Sequence, residues 1–145
     1  AEKERENWEK NQSWQAFREL MERMLAAKDW AESFLALNII AKPAIDEAFL
    51  RGLRNSGRRA NDTLLALLAE AALRDSERSR RWTTSLVEMI LSDSSNRSQM
   101  ELFMDKWCPL ANSAIENYCS TLPNQPGAVD LAMSNLKKFH SQLGL

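Results

Sequence analysis

Apolar residues recur at steps of three and four positions through most of the 145-residue chain. This spacing is typical of α-helices, whereas half-buried strands alternate apolar and polar residues. Only four glycines and four prolines interrupt the pattern. It predicts an all-α protein, and long helices joined by short turns favour an antiparallel helical bundle. We expect a single helical domain over residues 1–145, with a charged leading segment (1–13), the main bundle helices (14–122) and a short terminal helix (128–143).

The second helical stretch contains a proline near its middle. Its apolar positions predict one inward face, made by Trp30, Phe34, Leu37 and Ala41. Pro43 lacks a backbone N–H and crowds the preceding turn, so it predicts a kink. The run Asn55-Ser56-Gly57 is typical of a helix C-terminus and predicts the end of this helix. The charged residues 2–10, ahead of the first helix, are expected to fray or to lie on a partner.

Capping signals predict the ends of the later helices. The run Asn61-Asp62-Thr63 predicts a helix start, and the apolar pattern then continues for about 30 residues. Asn96 followed by Gln99 resembles a capping box and predicts the start of the next helix. Pro109 within that helix predicts a second kink or a local break, and Pro123 predicts its end.

Charge and composition narrow the class of partner. The chain has 19 basic and 20 acidic residues, a net charge of −1, so no overall field attracts nucleic acid or anionic lipid. No apolar run approaches the roughly 18 residues that a membrane-spanning helix needs. The first residues are too charged for a secretory signal. We therefore expect a cytoplasmic protein that binds neither nucleic acid nor membranes.

Few residues are candidates for catalysis or metal binding. A bundle-type di-iron site takes Glu-x-x-His from two helices, but the chain has one histidine, His140, with Lys137 three positions before it. Cys108 and Cys119 fit small buried side chains rather than activated nucleophiles. An all-carboxylate metal site is the minor alternative, with candidates Glu32, Asp46, Glu47, Glu70, Asp75, Glu88 and Glu116. We expect no catalytic, cofactor-binding or metal-binding residue in this chain.

The remaining features indicate a protein interface. Four leucines fall on several faces of the third helix, namely Leu64, Leu65, Leu67 and Leu68. This helix is therefore expected to be buried centrally or covered by another chain. The stretch 74–82 mixes arginines with acids, which favours a solvated or interface surface over nucleic-acid binding. Tryptophans and arginines are enriched in protein interfaces. We predict a subunit interface that includes Trp8, Trp14, Arg80, Arg81 and Trp82.

Several runs of sequence resemble a known family. The run KDWAESFLALNII at residues 28–40, followed by KPAIDE at 42–47, looks like the beta subunit of bacterial multicomponent di-iron monooxygenases, the toluene, phenol and methane hydroxylases. Later segments of these chains, especially those of the toluene type, resemble residues 61–65, 74–82 and 107–111 of this sequence. The resemblance covers most of residues 14–122. Family chains are considerably longer, and this chain resembles their C-terminal half.

The resemblance implies a ferritin-like fold without iron ligands. In this family the beta subunit supports an alpha subunit, which holds the di-iron centre and hydroxylates aromatic or related hydrocarbons with dioxygen. The implied partners are the alpha subunit, a gamma subunit, a second protomer of the hydroxylase and a small regulatory protein. The resemblance thus implies a non-catalytic structural subunit of a hydrocarbon monooxygenase. The alternative is a free-standing helical adaptor that binds another protein outside any enzyme complex.

Overall fold

The computed structural model describes residues 2–122 and 125–145, most of them in helices. In chain order the helices are α1 (Glu2–Lys10), α2 (Gln12–Ala26), α3 (residues 30–59), α4 (Thr63–Leu91), α5 (Arg97–Cys119) and α6 (Ala128–Gln142). A short 3-10 turn, Ser94–Asn96, precedes α5. The main pairs are α2 with α5 and the last part of α3 with α4. The prediction of an all-α antiparallel bundle is confirmed.

Helix α3 runs through the centre of the bundle and contains two π-helical segments between its α-helical segments. Its successive segments are Trp30–Leu35, Ala36–Ala41, Lys42–Ile45, Asp46–Leu50 and Arg51–Arg59. The second and the fourth of these segments are π-helical. Pro43 lies buried between them, where the wider π turns accommodate a residue that cannot donate a backbone hydrogen bond. The irregularity predicted at Pro43 is therefore observed as a change of helix type on both sides of it.

The inward face predicted for α3 is wrong in part. Trp30 is 74% exposed and Leu37 is 44% exposed, whereas Leu35, Ile39 and Ile40 are fully buried. Both faces of this helix are apolar, so periodicity alone did not distinguish them. Each π turn also holds an additional residue and rotates the side chains that follow relative to regular α-helical spacing.

The end predicted for α3 at Gly57 is also wrong. The helix continues to Arg59, and Asn61 makes the turn into α4 with a positive φ of 56°. Gly57 is buried, and a Cβ atom added to it would lie 2.9 Å from the backbone nitrogen of Ala66. This glycine therefore allows α3 and α4 to approach closely, and it does not terminate the helix.

The start of α4 is confirmed, and the capping box proposed for α5 is not. The Asp62 carboxylate accepts a hydrogen bond of 2.9 Å from the backbone N–H of Leu65. The Asn96 side chain makes no cap bond and instead donates to the carbonyl oxygen of Ile90 at 2.9 Å. It satisfies the last turn of α4, where carbonyl groups lack helical donors.

Helix α5 continues through Pro109 without the local break that was one of the two expectations. In a regular helix the residue at position 109 would donate to the Asp105 carbonyl, and both residues are exposed, so water can satisfy that oxygen. The predicted end at Pro123 lies outside the described residues. The terminal helix α6 is confirmed, with buried positions Ala132, Leu136 and Phe139.

The charged leading segment forms helix α1, which buries none of its residues. The core lies where α2, α3, α5 and α6 meet. Its largest fully buried side chains include Trp107, Leu20, Ile39 and Ile115. Across the described part of the chain, no helix has the length and apolar character needed to cross a membrane.

Candidate subunit interface and buried polar network

Glu47 is the centre of a buried polar network that joins three helices. The π segment Asp46–Leu50 of α3 places its carboxylate in the bundle, where the side chain is fully buried. Arg51, one turn later, donates to both carboxylate oxygens. Arg80 of α4 donates from Nη2 to Oε1 at 3.0 Å, and Asn135 of α6 donates from Nδ2 to Oε2 at 2.8 Å. One side chain thus ties α3 to both α4 and α6.

The surroundings of Glu47 keep its carboxylate ionised. Burial by itself raises the pKa of a carboxyl group, because it removes water from the charged form. Hydrogen bonds from Arg51 and Asn135, together with the charges of Arg51 and Arg80, outweigh burial and lower the pKa of Glu47 below its ordinary value of 4.5. The ionised carboxylate therefore stays paired with its cationic partners and helps to hold the three helices together.

Asp46 extends the same network. Its carboxylate pairs with Lys42 at 3.1 Å and with Arg80 at 3.8 Å. Lys42 also donates to the Ser76 hydroxyl at 3.2 Å. The guanidinium carbon of Arg80 lies 5.3 Å from the centre of the Phe139 ring, a cation–π distance. The two buried carboxylates of α3 are therefore both matched by cations.

The other acids that were candidates for a carboxylate metal site are paired or exposed. Glu32 accepts a hydrogen bond of 2.9 Å from the indole N–H of Trp107. Glu70 forms ion pairs with Arg54 and Arg58. The remaining three candidates are exposed to solvent, namely Asp75, Glu88 and Glu116. Within the described residues, no group of three or more His, Cys, Asp and Glu side chains is arranged to hold a metal ion.

The histidine and cysteines are also used structurally. His140 is buried and its Nε2 lies 2.9 Å from the carbonyl oxygen of Ile39, while Nδ1 lies 4.0 Å from the Cys108 sulfur. Burial raises the pKa of Cys108 and of Cys119 to about 11, so neither thiol ionises readily near neutral pH. These residues do not fit a di-iron centre, and they do not fit a nucleophile.

Two of the five predicted interface residues belong to an aromatic cluster at α1 and α2. Trp8 is 40% exposed, and its ring centre lies 6.2 Å from that of Trp14. Trp14 is half-buried and packs on Phe49 at 4.9 Å and on Tyr118 at 5.3 Å. Trp14 therefore contributes mainly to internal packing, whereas much of the Trp8 ring is accessible to a partner.

The other three predicted interface residues are consecutive on α4 and point in different directions. Arg80 turns inward to Glu47, while Arg81 and Trp82 are exposed. The Trp82 ring meets the edge of Phe34 with centres 5.9 Å apart and is still 56% exposed. The five residues thus form two separate groups, and only some of their side chains are free to contact another chain.

Helix α4 exposes an apolar face of its own. Its buried positions, Ala66, Ala69, Leu73 and Val87 among them, face the bundle. Leu64, Leu67 and Leu68 are 68%, 61% and 62% exposed, and Met89 is 65% exposed. The excess of apolar residues recognised in the sequence is therefore an uncovered surface.

Two residues of these sites were not predicted from the sequence. One is Met89, and the other is Asn135, which lies 88 positions from Glu47 and carries no local signal of that contact.

Comparisons with known proteins agree on one family. The family model described as methane/phenol/alkene hydroxylase matches residues 1–94. The beta subunit of the toluene-4-monooxygenase hydroxylase component from Ectopseudomonas mendocina is 46% identical over 121 residues, which cover 83% of this chain and 37% of that protein. The small subunit of the propane 2-monooxygenase hydroxylase component from Gordonia sp. (strain TY-5) is 26% identical over 114 residues, which cover 75% of this chain and 31% of that protein.

A solved structure matches as well. A chain of toluene 4-monooxygenase with toluene bound in its resting active site superposes with a TM-score of 0.79 and 45% identity, covering 82% of this chain and 40% of that chain. The ferritin-like character of the bundle is thereby confirmed. This chain spans between 31% and 40% of the length of these relatives. With a family match over most of its residues and a close structural neighbour, the chain belongs to the methane/phenol/alkene hydroxylase family.

Proposed function

We propose that this chain serves as a non-catalytic structural subunit of a cytoplasmic hydrocarbon monooxygenase. The observation that carries the proposal is its 46% identity to the beta subunit of toluene-4-monooxygenase hydroxylase. The cation partners of Asp46 and Glu47 support it, because carboxylates held by arginine and lysine are not available as iron ligands. In this proposal a separate alpha subunit holds the di-iron centre and hydroxylates an aromatic or related hydrocarbon.

In this proposal the chain contributes to the enzyme by holding its own helices in fixed positions. The Glu47 network fixes α4 and α6 relative to the central helix α3. A rigid bundle can then present the outer face of α4 and the Trp8 ring to neighbouring subunits at little entropic cost. The proposed neighbours are the alpha subunit, a gamma subunit and the second protomer, with a regulatory protein docking on the assembled hydroxylase. Arg81 and Trp82 are the proposed contact residues on α4, and Arg80 holds that helix in place.

Capture of the tagged chain from its native cells tests the proposal. We expect a co-purifying chain that carries Glu-x-x-His on two helices, the ligand pattern of a bundle-type di-iron site, and stoichiometric iron in the complex. Mass spectrometry identifies the chain, and metal analysis measures the iron. Recovery of the chain alone, or only with proteins that lack this ligand pattern, contradicts the proposal and favours the free-standing adaptor.

The double variant Arg81→Ala/Trp82→Ala separates a structural role from a catalytic one. We expect the yield of assembled hydroxylase to fall, since truncating an interface tryptophan commonly costs about 2 kcal/mol or more. Turnover per assembled complex should remain unchanged. Leu102→Ala on α5 is the control, because Leu102 is 62% exposed and lies outside the predicted interface. An assembled complex that has lost turnover contradicts a purely structural role.

A further inference from the structure

The outward face of α4 carries a seam with a seven-residue repeat. The first row of the seam is Leu64, Ala71, Arg78 and Ser85, and the second row is Leu68, Asp75, Trp82 and Met89. All eight positions are exposed. Alternating steps of three and four residues keep such a seam on one side of a helix for its whole length, here about 37 Å. This geometry suits a second long helix that packs at a small crossing angle.

The side chains of the seam are complementary in size about a midpoint between Ser76 and Glu77. If a second α4 lies antiparallel about this midpoint, Leu64 faces Met89 of the other copy. The small Ala71 then faces the large Trp82, so each indole ring finds space opposite a methyl group. Alternation of large and small side chains across facing positions is how helices pack closely.

The seam is complementary in charge about the same midpoint. In the antiparallel pair, Asp75 of each copy faces Arg78 of the other, which gives two ion pairs at the centre. Within one chain these two side chains pair at 3.4 Å and remain 75% and 79% exposed, so both are free to reach a partner. A parallel pair would instead place Asp75 against Asp75 and Trp82 against Trp82. Like charges in contact disfavour that arrangement.

We infer that α4 is a twofold contact between two copies of this chain, packed antiparallel about the midpoint between Ser76 and Glu77. A twofold interface must be self-complementary, and the seam meets this condition in both size and charge. The Phe34 and Trp82 rings pack edge to face with their centres 5.9 Å apart, which supports the Trp82 side chain at the seam. The inference rests on the proposed function and deepens it, because it assigns the outer face of α4 to a second copy of this chain, and its test on the isolated chain needs no catalytic subunit.

Charge exchange at the centre of the seam tests the inference. Sedimentation equilibrium of the full chain at micromolar concentration should show a dimer. Asp75→Arg and Arg78→Asp, each alone, place like charges in both central contacts and should raise the dimer dissociation constant at least about tenfold. An equimolar mixture of the two variants should restore dimers, because every central contact then joins an arginine and an aspartate. Neither a loss of folding nor the pair within one chain can produce that rescue.

Two controls make the result decisive. Circular dichroism should show unchanged helix content in both variants, since the substituted side chains are exposed. Leu102→Glu, at a leucine as exposed as Leu68 but on α5, should leave the dimer intact, whereas Leu68→Glu should dissociate it. A wild-type chain that is monomeric at tens of micromolar overturns the inference. A dimer that is insensitive to both single variants, or that is not restored in the mixture, overturns it as well.

Discussion

The side chain of His140 makes a hydrogen bond to the backbone of a helix that lies far from it in the sequence. In a regular α-helix the Ile39 carbonyl would accept from the residue at position 43, which is Pro43 and has no N–H. His140 Nε2 lies 2.9 Å from that oxygen and supplies the donor. This contact fixes the proton on Nε2 and leaves Nδ1 as the acceptor facing Cys108. The single histidine of the sequence therefore bonds to the backbone of α3 at a carbonyl that Pro43 cannot serve.

The stability of the protein should depend on pH through this residue. Burial lowers the pKa of His140 below its ordinary value of 6.5, the Arg80 charge lowers it further, and the Ile39 hydrogen bond opposes both effects. The unfolded chain then binds the proton more readily, so stability is fully present above pH 6.5 and decreases as the pH falls below it. The loss approaches about 1.4 kcal/mol per pH unit at most.

His140→Gln tests this dependence, because glutamine can still donate to Ile39 but does not titrate. Urea denaturation of the two proteins between about pH 7 and 5 measures it. We expect the free energy of unfolding to fall more steeply for the wild type than for the variant. Parallel profiles would show that His140 is not the group responsible.

At the scale of elements, the contact between the end of α3 and the start of α4 depends on a glycine inside a helix. Glycine is a poor helix former, so its presence at position 57 looked like a termination signal. The structure shows instead that any side chain there would meet the backbone of α4, at the Ala66 nitrogen and the Asp62 carbonyl oxygen. Propensity describes the isolated helix, whereas the close approach of two helices is a property of the fold.

Gly57→Ala should therefore destabilise the protein although alanine is the better helix former. Its Cβ would lie 2.9 Å and 3.0 Å from two backbone atoms that cannot move aside easily. We expect a loss of roughly 1–2 kcal/mol in unfolding free energy, as overpacking exceeds the gain in propensity. Thermal and urea denaturation measure the loss.

Gly52→Ala is the matched control for this experiment. A Cβ at position 52 would meet the end of the Leu122 side chain at 3.0 Å, and a flexible side chain can move aside. This variant should be neutral or slightly stabilising. Equal destabilisation by both substitutions would show that close approach to the α4 backbone is not the cause.

At the scale of the whole molecule, the Glu47 network holds together helices that are distant in the sequence. Its partners come from α3, α4 and α6, with Arg80 lying 33 positions and Asn135 lying 88 positions from Glu47. Removing one member of a buried ion cluster leaves the others without compensation. The arginine side chains are 20% and 26% exposed, so water reduces that penalty in part.

Glu47→Gln should lower the unfolding free energy by roughly 2 kcal/mol, a value reduced from the usual range for buried pairs because the arginines are partly solvated. The loss should be present above the ordinary carboxyl pKa of 4.5 and should diminish as the pH falls from there through the lowered pKa of folded Glu47, because Glu47 is then neutral in the wild type as well. Urea denaturation at pH 7 and at about pH 3 measures both effects.

Glu77→Gln is the control for the Glu47 variant. Glu77 lines the same open cleft as Glu47 but is exposed to solvent. Its substitution should change stability by about 0.5 kcal/mol or less. If the two variants behaved alike, general charge balance rather than the buried network would explain the effect.

The sequence alone determined the helical class, the approximate positions of α2, α4, α5 and α6, and the surplus of apolar residues on α4. These follow from local periodicity and capping, which act within a few residues of chain. The family resemblance read from runs such as residues 28–40 is confirmed by the comparisons. The five predicted interface residues remain predictions.

Only the tertiary structure decided which of the surplus apolar residues are buried and which charged residues pair with each other. Two apolar faces of α3 look alike in sequence, and the fold buries Leu35 and Ile40 while it exposes Trp30. Consecutive residues Arg80 and Arg81 look equivalent, yet one holds Glu47 and the other faces solvent. The physical reason is that burial and charge pairing depend on neighbours supplied by other helices, and one sequence window does not contain those neighbours.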